Sequence, residues 1–318
     1  MPEGERKLIQ RIRGMSVGGA SVVCGIGDDA AVLRVPRGHD LLVTTDFSIE
    51  KVHFRREWHP ADVVGWRCLT RGLSDIAAMG GEPQAAFLSL AVASGVSQKW
   101  VDGFLKGLLE LAKSYKVPLA GGDTAEAATG IQADIVVVGS VPKGKAVQRS
   151  GAKPGDQIYV TGRLGGSAMA LSRLMERMPV GMEKAVHFHP VARVAVGRWL
   201  RQQKIPSAMI DVSDGLSTDL EHICQESRVG AEIEAEAIPR ARCGPRGRRA
   251  VDLKFALHGG DDYELLFTSS RPVPPEVEGV PVTRIGRTTR SSGMRVLDAE
   301  GNVEVLKAAG WEHFRGDL

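Results

Sequence analysis

Apolar and polar positions change register several times along the first half of the chain, and each register predicts an element. Leu8, Ile9 and Ile12 recur at helical spacing and predict a short amphipathic helix over residues 5–13. Ala31–Val35 and Leu41–Val43 read as strands, the second running into a turn at Thr44-Thr45-Asp46. Pro60 stands where a helix begins, and Val63, Trp66, Leu69, Leu73 and Ile76 follow on one helical face. On that helix Asp75 falls off the apolar stripe, on a flank shared with Cys68, Gly72 and Met79. The missing side chain at Gly72 is expected to leave this flank open to an approaching group. Leu88–Ala93 predicts a strand, Trp100–Lys113 a helix, and Val117–Ala120 a strand ending in Gly121-Gly122-Asp123. A further strand is predicted over Ile131–Val141.

Turn residues concentrate in QRSGAKPGD, Gln148–Asp156, before the apolar run IYVTG, and place a domain boundary near residue 150. The chain then reads as a domain over 1–150 and another over 151–318. In the second, helices are expected near 167–178 and 190–203, and a strand over Ala208–Val212 ends in DVSDG. A helix from Thr218 to Glu226 and a late strand over Glu264–Thr268 follow. Mixed strands and helices of this kind predict an α/β or α+β fold.

A chain of 318 residues, 43% of them hydrophobic, can bury two cores. Its net charge of +3 supplies no whole-chain argument for nucleic acid. The dense basic stretch at Arg240, Arg242, Arg246, Arg248 and Arg249 carries Pro and Gly and reads as a solvated loop. Cys24, Cys68, Cys224 and Cys243 are scattered, without metal-type spacing, which fits a reducing compartment. The charged amino terminus has no signal-peptide pattern, and no apolar run nears the roughly 18 residues of a membrane span. A cytoplasmic protein is expected, with neither nucleic acid nor membrane as partner.

The chemistry lies in a set of acidic or hydroxyl-rich turns. They are GIGDDAAV around Asp28 and Asp29, TTDF, GLSDIAAMGG around Asp75, AGGDTAE around Asp123, DVSDG from Asp211 to Gly215, and HGGDDYE around Asp261 and Asp262. Each sets hard oxygen ligands beside glycines, and such carboxylates repel one another unless cations neutralise them. Mg²⁺ with substrate phosphates suits this pattern, because Mg²⁺ takes few protein oxygens and leaves positions for water and phosphate. Taken singly, each turn also reads as an ordinary N-cap or Asx turn, and Asp75 as a solvated helix residue. His53 serves equally as a phosphate donor or a surface histidine, and Arg149 as a phosphate fork or half of a surface ion pair. The chain carries no GxxxxGK[ST] loop, no HRD or DFG element and no GxSxG elbow.

In their order, GIGDDAAV, TTDF…VHF, GLSDIAAMGG, AGGDT, QRSGAKPGD, DVSDGLSTDL and HGGDDYELLF, with GWEHF near the carboxyl terminus, resemble the thiamine-monophosphate kinase family. That family falls within the aminoimidazole ribonucleotide synthetase-like superfamily. The resemblance spans residues 25–268 and the carboxyl-terminal match; the set is specific where single motifs are not. It implies a two-domain fold whose N-terminal domain forms the sheet of a homodimer. It further implies ATP-dependent phosphorylation of thiamine phosphate to thiamine diphosphate, with several Mg²⁺ ions per site. Motif by motif, Asp29, Thr44, Thr45, Asp46, Asp75, Asp123, Asp211 and Asp214 match metal ligands. Gly122, Arg149 and Ser213 match ATP contacts, and His53, Asp261 and Trp311 match the thiamine phosphate site. Asp261 departs from the family's frequent Glu by one methylene, and Trp311 stands where the aromatic varies.

The nucleophile implied is a phosphate oxygen with a second pKa of about 6, largely ionised at neutral pH, so no general base is assigned. Direct in-line transfer is expected rather than a phospho-enzyme. The alternatives are a related ATP-dependent synthetase, whose acceptor region would differ, and a non-catalytic dimer that only binds Mg–nucleotide.

Overall fold

The computed structural model describes residues 5–16, 18–27, 29–181, 183–244 and 247–314. Asp28 and Arg246, singled out above, lie outside them. The chain forms two compact units, the first drawn from residues up to Lys145 except Ala77–Gly80, the second from Ala77–Gly80 and Ala146 onward.

The first unit contains α1 (Glu5–Met15), β1 (Val22–Cys24), β2 (Val32–Leu33), β3 (His39–Ile49), α2 (Ala61–Ala78), β4 (Glu82–Ala93), α3 (Gln98–Tyr115), β5 (Leu119–Ala127) and β6 (Ile131–Pro142). Four of its strands form one sheet in the order β3-β6-β4-β5, antiparallel except for the β4–β5 pair that α3 connects. Ser97 caps α3 by accepting from the N–H of Trp100 at 3.3 Å, and Lys116 ends it in the left-handed region at φ 57°. Val101, Phe104, Leu105, Leu108 and Leu111 make the buried stripe of α3, as their spacing requires. Leu69, Leu73 and Ile76 of α2 are buried with them, beside Leu88, Leu90, Ile135 and Val137 of the sheet. Leu41, Val43 and Phe47 of β3, by contrast, are 48%, 60% and 57% exposed. They share one side of the strand through its two-residue period, so one face of this sheet carries uncovered apolar groups.

The second unit comprises β7 (Gln157–Thr161), α4 (Gly166–Met175), α5 (Glu183–Phe188), α6 (Val194–Gln202), β8 (Ala208–Val212), α7 (Leu216–Ser227), β9 (Gly230–Glu234), β10 (Arg242–Cys243), β11 (Arg249–Ala250), α8 (Leu253–His258), β12 (Glu264–Ser269), β13 (Glu276–Val277), β14 (Val280–Thr289), β15 (Met294–Leu297) and β16 (Val303–Leu306). Its large sheet runs β16-β15-β9-β14-β7-β12-β8, with β13 paired to β14. Only the β15–β9 pair is parallel. Strands of this unit pair mostly antiparallel, so the fold is α+β rather than a doubly wound α/β sheet. Leu216, Leu220 and Ile223 of α7 pack into one core with Ile158, Val160, Ile210, Val212 and Ile285 of the sheet. Among the described residues, no helix is long and apolar enough to cross a membrane.

Candidate active site

Thr44, Thr45 and Asp46 lie within a strand and not in a turn after one, because the ladder from β3 to β6 runs unbroken from His39 to Ile49. Alternation then sends neighbouring side chains to opposite faces. Thr44 and Asp46 face α2, where Thr44 donates its hydroxyl to the Asp75 carboxylate and Arg71 stands 3.7 Å from Asp46. Thr45 points to the other face with Val43 and Phe47. The flank of α2 bearing Cys68, Gly72 and Asp75 therefore looks onto the sheet. A Cβ at Gly72 would stand 2.5 Å from Val137 Cγ2, so the space expected there for a ligand is filled by β6. Burial pushes the Cys68 thiol up to about 12, which makes it an inert packing group.

AGGDT also lies within a strand, since β5 continues through it to Ala127. Gly122, at φ 144°, makes this possible: a Cβ there would come 1.8 Å from the Leu88 carbonyl oxygen. Asp29, Gly122 and Asp123 line one cleft of about 530 Å³, with Ile9 and Ile12 of α1 and Phe87 of β4 forming its apolar side. β3 and β5 are the two edges of the four-stranded sheet. Thr44 and Asp46 on β3 are thus separated from Asp123 on β5 by three strand spacings, about 14 Å. His53 follows β3 in a turn where the N–H of Ile49 donates to its Nδ1 at 3.0 Å. With Nδ1 accepting, a neutral ring carries its proton on Nε2.

In the second unit, β8 delivers Asp211 and the 211–215 turn to the start of α7. Asp219, in the first turn of that helix, accepts from the N–H groups of Asp214 at 3.2 Å and Gly215 at 3.0 Å. Burial, together with the Asp211 and Asp214 carboxylates, raises its pKa well above the ordinary range, and the two N–H groups oppose that rise. The second acidic turn lies directly against the first. Asp261 donates its N–H to the Ser213 carbonyl and Tyr263 to that of Val212, both at 2.8 Å. Tyr263 also donates its hydroxyl to Asp261 Oδ1 at 2.6 Å. Asp262 turns inward and accepts from the N–H groups of Gly165 and Ser167, at 2.6 and 3.4 Å. Burial pushes its carboxyl up to about 8 despite those two bonds.

Trp311, though distant in sequence, belongs to the same group, because its N–H donates to the Asp214 carbonyl at 3.0 Å. Trp311 is 41% exposed as a residue, outside the core, and its ring meets His313 edge-on at 5.5 Å. Arg149 stands apart within this unit. Its carbonyl accepts from Ser227 at 3.1 Å, at the last turn of α7, a 12-residue helix that spans about 18 Å from the Ser213–Asp214 turn. Asp211, Ser213, Asp214, Asp261 and Trp311 are brought together; Arg149 is not among them. Of the two carboxylates that hold the turns, Asp219 goes unnoticed in the sequence and Asp262 is read only as part of its turn. A carboxylate early in a helix looks like any N-terminal acidic residue, and Asp262 is masked by its neighbour. Among the described residues, no three His, Cys, Asp or Glu side chains converge as a ready metal cage.

Both units match known families. AIR synthase related protein, N-terminal domain, matches residues 27–141, and AIR synthase related protein, C-terminal domain, residues 153–309. The thiamine-monophosphate kinase of Salmonella typhimurium is 37% identical over 310 residues, covering 92% of each chain. The crystal structure of the thiamine-monophosphate kinase of Stenotrophomonas maltophilia superposes with a TM-score of 0.81 at 34% identity, over 93% of this chain and 97% of that one. A structure of AaThiL complexed with AMPPCP and TMP superposes at 0.76 with 28% identity, over 97% and 96%. With both domains matched and identity sustained over nearly the full length, this chain is an enzyme of the thiamine-monophosphate kinase family.

Proposed function

We propose that the protein transfers the γ-phosphoryl group of ATP directly, in line, to the phosphate of thiamine phosphate, giving thiamine diphosphate. The observation that carries this reading is the joining of the Asp211–Gly215 turn, the Asp261 turn and Trp311 by main-chain hydrogen bonds, in a chain of this family. Ser213 and Asp214 then serve the nucleotide and its metal, while Asp261 and Trp311 serve the acceptor within bonding reach of them. Gly122 and Arg149 are read as further ATP contacts, and His53, presenting Nε2–H, as a donor to the acceptor phosphate.

The donor set suits Mg²⁺. Thr44, Asp46 and Asp75 form one hard-oxygen group, Asp29 and Asp123 line a second, and Asp211 and Asp214 form a third, with Thr45 on the open sheet face. Cations held by these residues would screen two polyanions from each other and would stabilise charge on the transferring group. The residues' own work is to bind and orient: the Asp219 clamp fixes the Asp214 backbone, and Tyr263 fixes the Asp261 carboxylate. An ATP-consumption screen with thiamine phosphate, thiamine and aminoimidazole precursors tests the reading. Turnover confined to an aminoimidazole precursor overturns it.

Trp311→Ala is expected to raise the KM for thiamine phosphate up to about thirtyfold and leave that for ATP nearly unchanged, as loss of a ring–cation contact predicts. Steady-state kinetics with each substrate varied in turn makes the check. Equal shifts in both values would move Trp311 out of the acceptor pocket.

The open face of the first unit supports a homodimer built through the N-terminal domains. Leu41, Val43 and Phe47 are each about half exposed, so burial against a second copy gains about half of the ~1.5–3 kcal/mol of a full transfer per side chain. Val43→Asp is therefore expected to yield monomers by light scattering, with the fold kept, since the side chain is exposed in the single chain. A dimer that persists in that variant places the interface elsewhere. All four cysteines are free thiols, which suits a reducing cytoplasm.

A further inference from the structure

We propose that Ser217 and Thr218, the two hydroxyl residues at the start of α7, are positioning residues for the acceptor. They dock the segment carrying Trp311 onto the Asp211–Gly215 turn. The proposal rests on the reading of Trp311 as an acceptor contact.

Three consecutive backbone N–H groups of that segment are taken up at this one place. Ala309 donates to Ser217 Oγ at 3.3 Å, Gly310 to Thr218 Oγ1 at 3.0 Å, and Trp311 to the Asp214 carbonyl at 3.0 Å. Beyond β16, which ends at Leu306, no strand or helix is assigned to the described residues, so these bonds do what a sheet ladder does elsewhere. The approach is close enough to exclude a side chain. A Cβ at Gly310 would stand 2.2 Å from the Asp214 oxygen and 2.6 Å from Thr218 Oγ1.

Ser217 also reaches the third segment, since its Oγ lies 2.8 Å from Nδ1 of His258, the residue that opens HGGDD. One turn of helix therefore touches the nucleotide-side turn, the start of the Asp261 turn and the carboxyl-terminal segment. None of the three segments is near the others in sequence. Each hydroxyl acts through the backbone it holds, not by touching substrate. Its removal should displace Trp311 and spare the groups that face ATP.

The test compares Thr218→Val, which keeps the side-chain shape without the acceptor oxygen, with Thr218→Ser, which keeps the oxygen. Gly310→Ala and Trp311→Ala are assayed beside them. Thr218→Val is expected to raise the KM for thiamine phosphate about three- to tenfold, the worth of one lost hydrogen bond, and to leave the KM for ATP within about twofold. Thr218→Ser should restore wild-type values. Gly310→Ala should reproduce the acceptor shift without altering the helix, and so keeps the test decisive if Thr218→Val folds poorly. Quenching of tryptophan emission by thiamine phosphate alone should weaken in parallel. If Trp311→Ala raises the acceptor KM while Thr218→Val and Gly310→Ala do not, the docking role is overturned and the acceptor reading stands. If Trp311→Ala changes nothing, the acceptor reading fails and the docking proposal with it. Equal shifts in both KM values would reduce Thr218 to a fold-stabilising residue and also overturn the proposal.

Discussion

Asp46→Ala and Asp123→Ala are each expected to lower kcat by about a hundred- to a thousandfold, the scale set by losing a group that organises charge in the transition state. The two carboxylates stand on opposite edges of the first unit's sheet, so the two losses test two separate groups of oxygen donors. Neither change should unfold the protein. Asp123 is exposed and bonds only locally, through the N–H of Thr124 at 2.8 Å. Asp46 lies 3.7 Å from Arg71 with 32% of its side chain exposed, outside the apolar core, so its removal leaves the packing of α2 on the sheet in place. Thermal melting and turnover at saturating Mg²⁺, measured on the same preparations, separate loss of chemistry from loss of fold. Near wild-type turnover in either variant would remove that residue from the metal-binding set.

Thiamine phosphate should be phosphorylated at least about ten-thousandfold more efficiently than free thiamine, the discrimination typical of a site built around a group the analogue lacks. The physical reason lies in the nucleophile. A phosphate monoester with a second pKa of about 6 is mostly a dianion at neutral pH. An alcohol holds its proton until a base removes it. Among the described residues, three carboxylates are raised by burial: Asp219 and Asp262 are each occupied by two backbone N–H groups, and Asp134, on β6, is bonded by the Asp46 backbone within the sheet. Phosphorus NMR of the products from each acceptor makes the measurement. Comparable rates with the free alcohol would reveal a working general base and a different class of kinase.

Elements with a long, regular apolar period were legible in the sequence. Residues 61–78, 98–115 and 131–142 appear as α2, α3 and β6 close to where spacing alone put them. The expected strand at Ala208–Val212 is β8 with the same bounds. The errors share a cause. In AGGDT the Gly and Asp residues are depleted in strands, and in TTDF the apolar run gives way to polar Thr and Asp of the kind that cap turns, so local pattern ends β3 and β5 several residues early. The partner strands override that preference, because pairing with β6 and β4 satisfies the backbone groups that a turn would otherwise leave to water. Nothing within either segment announces such a partner. Strands β9, β15 and β16, which are short, and β14, which Pro281 and Gly286 interrupt, are not legible for the complementary reason: their half-polar patterns acquire meaning only inside the large sheet.

Chemistry was legible where it depends on residue type. The run of carboxylates, hydroxyls and glycines identified hard-oxygen, phosphate-handling turns and the family to which the chain belongs, because those properties reside in single side chains and their order. What the sequence alone determined is thus the kind of atoms available. Tertiary structure alone decided which atoms meet. It separated Thr44 and Asp46 from Thr45 across a sheet, since a strand reverses its side chains at each residue. It also filled the flank beside Asp75 with Val137. Asp214, Asp261 and Trp311 were brought into one hydrogen-bonded group, with Asp219 and Thr218 holding the backbone beneath them. Such contacts join segments far apart in the chain, and they form because buried N–H groups must find acceptors wherever the fold supplies them, a requirement that no local pattern encodes.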